Sequence, residues 1–229
     1  MTAAPGTLAA AWLIARKDLS IEFRTRTAFF SAVVFAVLGL TIFFFAWDST
    51  VVSSLDLAPG VLWVILTFSG LLGLQRSFSV EETDRAIDGL LVSPVSREAV
   101  YLGKAIGNLL FVGAVQCITI PALALFYNLP FGKPLLVVAA IAVLAIVGLV
   151  AVGTLFAAMA VNTRLAELLL PMLSLPFFVP IVMSAAQATA RVLAGRPLAE
   201  AWPWLKILVA FDIVFLVACT LAFPFTLEE

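Results

Sequence analysis

Long apolar runs separated by short polar segments make up most of this chain. Bilayer hydrocarbon is about 30 Å thick, so a helix needs roughly 20 apolar residues to cross it. Six runs qualify, and they predict spans at about 28–47, 57–78, 99–127, 134–161, 165–186 and 203–225. Because lipid cannot satisfy open backbone N–H and C=O groups, the pattern predicts an all-α integral membrane protein. Residues 1–229 would form a single transmembrane domain.

The densest polar segment lies between the second and third predicted spans. Residues 79–104 carry eight charged side chains: Glu81, Glu82, Asp84, Arg85, Asp88, Arg97, Glu98 and Lys104. Each charge costs about 2.5–3.5 kcal/mol at the bilayer centre, so most of this segment lies outside the membrane. A minimal helix–helix connection takes about 2–8 residues. The loop at 79–98 is therefore longer than a simple turn requires.

This loop has a helical pattern of its own. Apolar and charged side chains fall on opposite helical faces: Val80, Ile87, Leu90 and Leu91 against Glu81, Glu82, Arg85 and Asp88. Gly89 lies near the end of this helix. Ser93 then has the position of an N-cap, and Pro94 that of the first residue of a helix leading into the third span. Two interpretations stay open: a solvated helical hairpin, or a docking element for a cytoplasmic protein.

The segment before the first span, residues 8–25, is amphipathic. Its apolar residues recur at helical spacing and form one stripe: Leu8, Trp12, Ala15, Leu19 and Phe23. Lys17 and Arg24 point away from that stripe. The pattern favours a helix lying in the membrane interface. Glu22, near the apolar edge, fits this less well, and the alternative is a short soluble lead-in.

Composition narrows the class of protein. Hydrophobic residues are 63% of the 229 positions and charged residues 12%, against about 45–50% and about 25% in soluble domains. The net charge of −1 gives no reason to expect nucleic-acid binding. There is no histidine, the usual general base and the usual haem or zinc ligand.

The sequence contains no motif for nucleotide hydrolysis and no motif for metal binding. A Walker A pattern is missing, because Ala105 follows Lys104 where Ser or Thr is needed. Cys117 and Cys219 lie in separate apolar runs, without the spacing of a metal site or a disulfide framework. We therefore expect a subunit that is not an enzyme and binds no cofactor itself.

Lysine and arginine are distributed unequally between the two sides. Six spans put both termini on one side, which holds nine basic residues against four on the other. The positive-inside rule then places the termini and the 79–98 loop in the cytoplasm. Five aromatic residues at or near the predicted outer ends suggest an interfacial belt: Trp47, Trp63, Tyr127, Trp202 and Trp204.

Polar and helix-breaking residues also occur inside the spans. Asp212 lies near the middle of the sixth span, and Gln116 in the third is a candidate partner. Asp212 either belongs to a transport path or fixes a contact between helices, and both roles stay open. Pro171, Pro176 and Pro180 predict a kinked or partly unwound fifth span.

Pairs of small residues predict close helix contacts in two spans. Gly103 and Gly107 are four residues apart near the start of the third span, and Ser69 and Gly73 have the same spacing in the second. Small residues at this spacing let the backbones of two membrane helices approach closely.

Several segments resemble the CcmB family, the permease subunit of the cytochrome c maturation ABC transporter, called the haem exporter. The most specific stretch, 57–111, contains "LAPGVLWVILTFSGLLGLQRSFSVEETDRAIDGLLVSP" (57–94) and "YLGKAIGNLLF" (101–111). Further similarity lies in "LAELLLPMLSLPFFVP" (165–180) and "FDIVFLVACTLAFPFTLEE" (211–229). The resemblance covers nearly the whole chain.

The resemblance implies an ABC-2-type permease in the bacterial cytoplasmic membrane, with an interfacial N-terminal helix, six spans and a cytoplasmic coupling helix. Two copies would pair with two copies of a separate ATPase, CcmA, and join the membrane proteins CcmC and CcmD. ATP hydrolysis on CcmA would drive release of the haem-loaded chaperone CcmE from CcmC. Haem would then be a cargo of the complex.

The coupling helix implied by the resemblance is residues 80–91, seated in a groove of the ATPase. The coupling residues would be Glu81, Glu82, Arg85, Ile87, Asp88, Gly89, Leu91, Ser93 and Pro94. The three acidic side chains would meet basic or polar groove residues, and Ile87 and Leu91 would pack on an apolar surface.

Three alternatives remain at the level of sequence. The first is an ABC-2 permease for another cargo, such as a lipid-linked glycan or a drug. The second is a secondary transporter that uses Asp212 as an ion or proton site, although the repeated halves common in that class are not visible here. The third is a structural membrane scaffold.

Overall fold

The computed structural model describes residues 6–83, 95–161 and 166–226. These ranges contain seven helices and no strand: α1 Thr7–Thr25, α2 Thr27–Ala46, α3 Ser54–Thr83, α4 Arg97–Phe126, α5 Lys133–Val161, α6 Ala166–Leu193 and α7 Leu198–Thr226. Within the described residues, α2 to α7 each contain a stretch long and apolar enough to cross a membrane. The all-α prediction with six spans is confirmed.

Helices α3 and α5 lie at the centre of the bundle. Each packs against four other helices, and in both cases one of the four is the other central helix. Their mutual contact and their contacts with α6 are made by side chains of moderate size, including Leu62, Leu66, Ala142, Ala145 and Ile181, all buried. The outward faces of α2 and α7 are also apolar, with Phe45 and Phe225 largely exposed. Such a surface is stable only in an apolar solvent such as lipid.

The observed helices agree closely with three predicted spans and extend beyond the other three. α6 continues to Leu193 and α7 already begins at Leu198, so most of the segment 187–202 is helical. The span in α3 is followed without interruption by further helix up to Thr83. The second span and the first residues of the predicted helix 80–91 are therefore parts of one continuous helix.

Ser96, not Ser93, is the N-cap of α4. Its backbone is extended, and its Oγ accepts a hydrogen bond from the backbone N–H of Ala99 at 3.3 Å. α4 begins at Arg97, so the prediction that Pro94 begins this helix is wrong. Both serines have suitable chemistry for a cap. Val95, just before Ser96, packs against the core.

The proline-rich helix α6 is continuous. Pro171, Pro176 and Pro180 all lie inside Ala166–Leu193, so the predicted partial unwinding is wrong, while the predicted kink stays a prediction. Each proline removes only one helical N–H donor. In a membrane helix, packing against neighbours compensates for such losses, and α6 packs on α3, α5 and α7.

The predicted N-terminal helix is confirmed as α1, and it packs against α4. The contact is made by its small side chains, with Ala11 and Ala15 fully buried, while Leu8, Trp12 and Phe23 of the predicted stripe are exposed. The pair Gly103–Gly107 makes this contact close, as predicted. A Cβ at Gly103 would lie 2.7 Å from Ile14 Cβ and 2.8 Å from the Ala11 carbonyl oxygen. Gly73 makes room for Phe111 in the same way.

A single residue connects α1 to α2. Arg26 has a left-handed backbone with φ of 57°, and its N–H donates to the Glu22 carbonyl. The Glu22 carboxylate accepts a 2.8 Å hydrogen bond from the backbone N–H of Phe29, in the first turn of α2. Glu22, which fits the amphipathic pattern poorly, thus satisfies a free donor at the start of the next helix.

The structure places two of the five predicted belt residues in the core, and the belt stays a prediction for the others. Trp202 is exposed, but Trp63 and Tyr127 are each 1% exposed and belong to the core. The indole N–H of Trp63 donates to Thr189 Oγ1 at 3.1 Å, which joins α3 to α6. The prediction is wrong for these two residues because position near a helix end does not determine which face turns inward.

We expect Gly103→Ala to loosen the packing of α1 on α4. The added Cβ has no room, and overpacking of this kind costs about 1–3 kcal/mol. Gly113→Ala is the matched control on the same helix, because nothing lies within 4 Å of a Cβ there. Thermal unfolding in detergent should show a lower midpoint for Gly103→Ala alone. Equal midpoints for the two variants would contradict the packing described here.

Candidate functional site

The predicted coupling residues lie mostly beyond the described part of the chain. Glu81 and Glu82 belong to the last turn of α3. The remaining residues fall outside the described ranges: Arg85, Ile87, Asp88, Gly89, Leu91, Ser93 and Pro94. The structure does describe what holds both ends of this segment, namely the end of α3 and the beginning of α4.

Lys104, about two turns inside α4, is the centre of a polar cluster between these ends. Its side chain is 1% exposed, and its Nζ lies 3.0 Å from Asp18 Oδ2 of α1. The same ammonium group donates a 2.7 Å hydrogen bond to the backbone carbonyl of Ser77 in α3. Three helices are therefore joined through one side chain.

This arrangement compensates the buried charge of Lys104. An ammonium group without partners is very unfavourable away from water, whereas charge-assisted hydrogen bonds are short and strong. Asp18 keeps partial contact with solvent at 21% exposure and also pairs with Lys17, at 3.2 Å. Removal of Lys104 thus leaves Asp18 paired, whereas removal of Asp18 deprives the buried lysine of this carboxylate.

Asn108, one turn after Lys104, continues the polar contacts into α5. Its amide donates to Thr154 Oγ1 at 2.9 Å, and both side chains are buried. We call Asp18, Ser77, Lys104 and Asn108 the polar junction. A small cavity of about 70 Å³ lies beside it, lined by residues of α1 to α4 that include Lys17, Glu22 and Phe111.

Two further bonds fix the first turns of α4. Arg97 donates to the carbonyl of Pro224 at 2.9 Å, near the end of α7. The hydroxyl of Tyr101 donates to the carbonyl of Ala151 in α5 at 3.0 Å. The last carbonyls of a helix lack internal partners, so Arg97 satisfies one of them with a charged donor.

The beginning of α4 is therefore bonded to α1, α3, α5 and α7. Breaking any of these buried bonds would leave a polar group without a partner, which is unfavourable. A displacement of the last turns of α3 would act on Ser77 and so on Lys104 and Asp18. The polar junction links α4 to α1, α3 and α5 through one ion pair and two hydrogen bonds.

The intramembrane polar residues do not pair as predicted. Asp212 is 5% exposed and Gln116 is 3% exposed. Among the described residues, neither oxygen of Asp212 nor the Nε2 of Gln116 has a hydrogen-bond partner. Asp212 packs between α5 and α6, with Oδ1 against Gly148 and near Ile181, whereas Gln116 lines a groove between α4 and α5. The pairing fails because the two residues face different neighbours.

Possible ligands for a metal are dispersed in the described ranges. No group of three His, Cys, Asp or Glu side chains occurs there with a spacing suited to a metal ion. Cys117 is exposed in the groove between α4 and α5, and Cys219 is buried; both are free thiols.

The sequence pattern identified Lys104 as a charge of the 79–104 segment, a cytoplasmic basic residue and part of an incomplete Walker A pattern, but not as a buried partner of another helix. A signal for its role was present, since Lys104 directly follows a packing glycine and precedes another by three positions. A charge inside a close helix contact needs a partner from the other helix. Asp18, on the polar edge of α1, had no comparable signal, because surface acids at such positions are common.

Comparison with known proteins gives a family match along nearly the whole chain. The family described as CcmB protein matches residues 9–229. This range includes all six spans, the loop between α3 and α4, and every residue of the polar junction.

Individual relatives agree with the family match. The protein named Heme exporter protein B of Paracoccus denitrificans (strain Pd 1222) is 31% identical over 206 residues, 90% of this chain and 89% of the relative. The protein of the same name from Rhodobacter capsulatus is 28% identical over 78% of this chain and 82% of its own length. That of Pseudomonas aeruginosa is 26% identical, with 88% and 90% covered. By its sequence, this chain belongs to the CcmB family.

Proposed function

We propose that this chain is the permease subunit of a haem exporter that serves cytochrome c maturation. Support comes from the family and from relatives named Heme exporter protein B. The chain would act as a non-catalytic membrane component, with ATP bound and hydrolysed on a separate ATPase subunit. Haem would be a cargo of the complex, and this chain would bind no cofactor of its own.

The observation that best supports this function is the continuity of α3 with the polar junction. α3 runs unbroken from Ser54 to Thr83, from the membrane-spanning stretch into the polar loop. Six residues before its described end, the carbonyl of Ser77 is bonded to Lys104. A displacement of the last turns of α3 would thereby be passed to α1 and α4.

The mechanism we propose is mechanical. ATP closes a dimer of ATPase subunits, each of which holds the loop segment 80–91 in a groove. The segment moves with its ATPase and displaces the end of α3. Through Ser77, Lys104 and Asp18 this displacement tilts α4 and α1 together, and the membrane complex changes its state.

The partners follow from the same proposal. Two copies of the chain would pair with two CcmA-like ATPases and with CcmC-like and CcmD-like membrane subunits, next to a CcmE-like haem chaperone. Both termini and the loop would lie on the cytoplasmic side of the bacterial inner membrane, where ATP is available. The charge distribution, nine basic residues on that side against four, supports this orientation.

The double charge reversal Glu82→Lys with Asp88→Lys tests the docking of the loop. We expect less ATPase subunit to co-purify, because acidic side chains that face a basic groove become repulsive. The matched control is Asp48→Lys with Glu200→Lys, which changes the net charge equally in the loop between α2 and α3 and at the start of α7. Co-purification from native membranes, with the co-purified chains identified, is the measurement.

Unchanged recovery of the ATPase after the loop reversal would count against the docking. Transport activity in liposomes that contain this chain without any ATPase would contradict the proposed function itself. It would favour an ion-coupled transporter that uses Asp212.

Lys104→Met tests the mechanical connection. The substitution keeps an apolar stem of similar length but removes the bonds to Asp18 and Ser77. We expect the ATPase to bind normally while stimulation of its activity by the membrane subunits falls, with a stability loss of about 1–3 kcal/mol. Lys17→Met is the matched control, because Lys17 pairs with the same Asp18 at 3.2 Å but is 42% exposed. Equal stimulation in both variants would show that the junction does not transmit motion.

A further inference from the structure

A groove opens on the surface of the bundle where α1, α2 and α4 meet. Its volume is about 530 Å³, far more than the space of about 30 Å³ that one water molecule takes up. Most of its wall is apolar and four of its residues are phenylalanines; the apolar wall includes Phe23, Phe29, Phe30, Leu110, Phe111 and Ala114. We call it the α1–α4 groove.

The α1–α4 groove begins at one edge of the hydrocarbon core. α2 has 20 residues and is therefore about 30 Å long, which equals the thickness of that core. Arg26 directly precedes α2 and so lies at the edge, whereas Phe29 lies about one turn inside. The rings of Phe29 and Phe111 are in contact, with centroids 6.3 Å apart, so both helices present aromatic walls at this depth. The groove thus has charged groups at the level of lipid headgroups and apolar walls at the level of lipid chains.

The charged residues that line the α1–α4 groove are one acid and one base, Glu22 and Arg26. Their backbones are adjacent, because the N–H of Arg26 donates to the carbonyl of Glu22 at 2.6 Å. Their side chains do not pair with each other. Within the described part of the chain, neither the carboxylate nor the guanidinium has an opposite charge within 4.0 Å.

Both side chains are held in place by one bond and keep further bonding capacity. Glu22 Oε1 accepts from the N–H of Phe29 at 2.8 Å, and its second oxygen is not among the buried atoms. Arg26 Nε donates to the carbonyl of Phe23 at 3.2 Å, which leaves its two terminal NH₂ groups. A free carboxylate oxygen and a free guanidinium edge therefore lie together at the mouth of an apolar groove.

This pair of charges selects one class of lipid headgroup. A guanidinium binds phosphate well, and a carboxylate binds a cationic N–H donor. Phosphatidylglycerol has the phosphate but no cation, and its negative charge would lie near Glu22. Phosphatidylcholine has a cation, but its quaternary nitrogen carries no hydrogen to donate. Phosphatidylethanolamine supplies both the phosphate and a primary ammonium group.

We propose that the α1–α4 groove binds one molecule of phosphatidylethanolamine, with its phosphate on Arg26, its ammonium group on Glu22 and one acyl chain between α2 and α4. The lipid supports the part of α1 that holds Asp18 against Lys104, because Asp18 lies one turn before Glu22. This site goes beyond the proposed function, which assigns no lipid to the chain.

The test is lipid binding to the full chain in detergent, measured by native mass spectrometry. Dioleoyl phosphatidylethanolamine, phosphatidylglycerol and phosphatidylcholine are added singly at equal concentrations. We expect the unchanged chain to bind the ethanolamine lipid about fivefold or more tightly than either of the others.

Charge variants then assign the headgroup contacts. Glu22→Gln keeps an acceptor for the N–H of Phe29 but removes the charge, so we expect the preference for the ethanolamine lipid over phosphatidylglycerol to be lost. Arg26→Gln should weaken binding of both lipids about fivefold or more. Arg24→Gln is the matched control, because Arg24 is an exposed base two positions away that does not line the groove.

A substitution in the apolar wall locates the acyl chain. Ala114→Phe fills the groove, and we expect binding of the ethanolamine lipid to fall about fivefold or more. Leu125→Phe is its control, because Leu125 is 70% exposed on the same helix and lies outside the groove. The helix content of each variant without added lipid is measured by circular dichroism, so that loss of binding is separated from loss of fold.

Four results would overturn the proposal. These are equal affinity of the unchanged chain for the ethanolamine and glycerol lipids, an unchanged preference in Glu22→Gln, equal losses in Arg24→Gln and Arg26→Gln, and unchanged lipid binding in Ala114→Phe. None of them bears on the docking of the ATPase, whose test uses the loop between α3 and α4.

Discussion

A lysine that is almost fully buried must have its charge compensated within the protein, and the arrangement of one end of the bundle follows from that requirement. Asp18 reaches Lys104 only because α1 approaches α4 closely, and this approach is possible only because Gly103 has no side chain. The carbonyl of Ser77 completes the set of partners. Close packing and charge compensation thus depend on each other, which makes the junction of α1, α3 and α4 a single structural unit.

The spans were predictable from the sequence because the length of an apolar run can be read directly along the chain. The positions of Trp63 and Tyr127 were not, since their burial depends on which face of a helix meets its neighbours. Likewise, two serines suited the N-cap of α4, and only the folded chain shows that Ser96 is the one that caps it. Prolines in α6 were tolerated because neighbouring helices surround it, which a single sequence does not specify.

The candidate site was predictable in location but not in its contacts. The charge pattern of the 79–98 loop identified the region, since dense charge cannot lie in lipid. Both flanks of that loop proved to be fixed by the polar junction, whose members are up to 90 positions apart along the chain, from Asp18 to Asn108. Hydrogen bonds between distant helices leave no periodic signal, so Asn108 with Thr154 and Arg97 with Pro224 emerge only from the folded chain.

The one-residue connection at Arg26 has a consequence for how α1 and α2 move. A linker of one residue has only two soft backbone angles, and here the Glu22 carboxylate also bonds across it to Phe29. The angle between the two helices is therefore restricted, and α1 and α2 are expected to move together. α2 has 20 residues and is about 30 Å long, so a slight rotation of α1 swings its far end through a much larger arc. There Phe44 and Trp47 contact Tyr127, so such a rotation of α1 would change the contacts at the opposite end of α4.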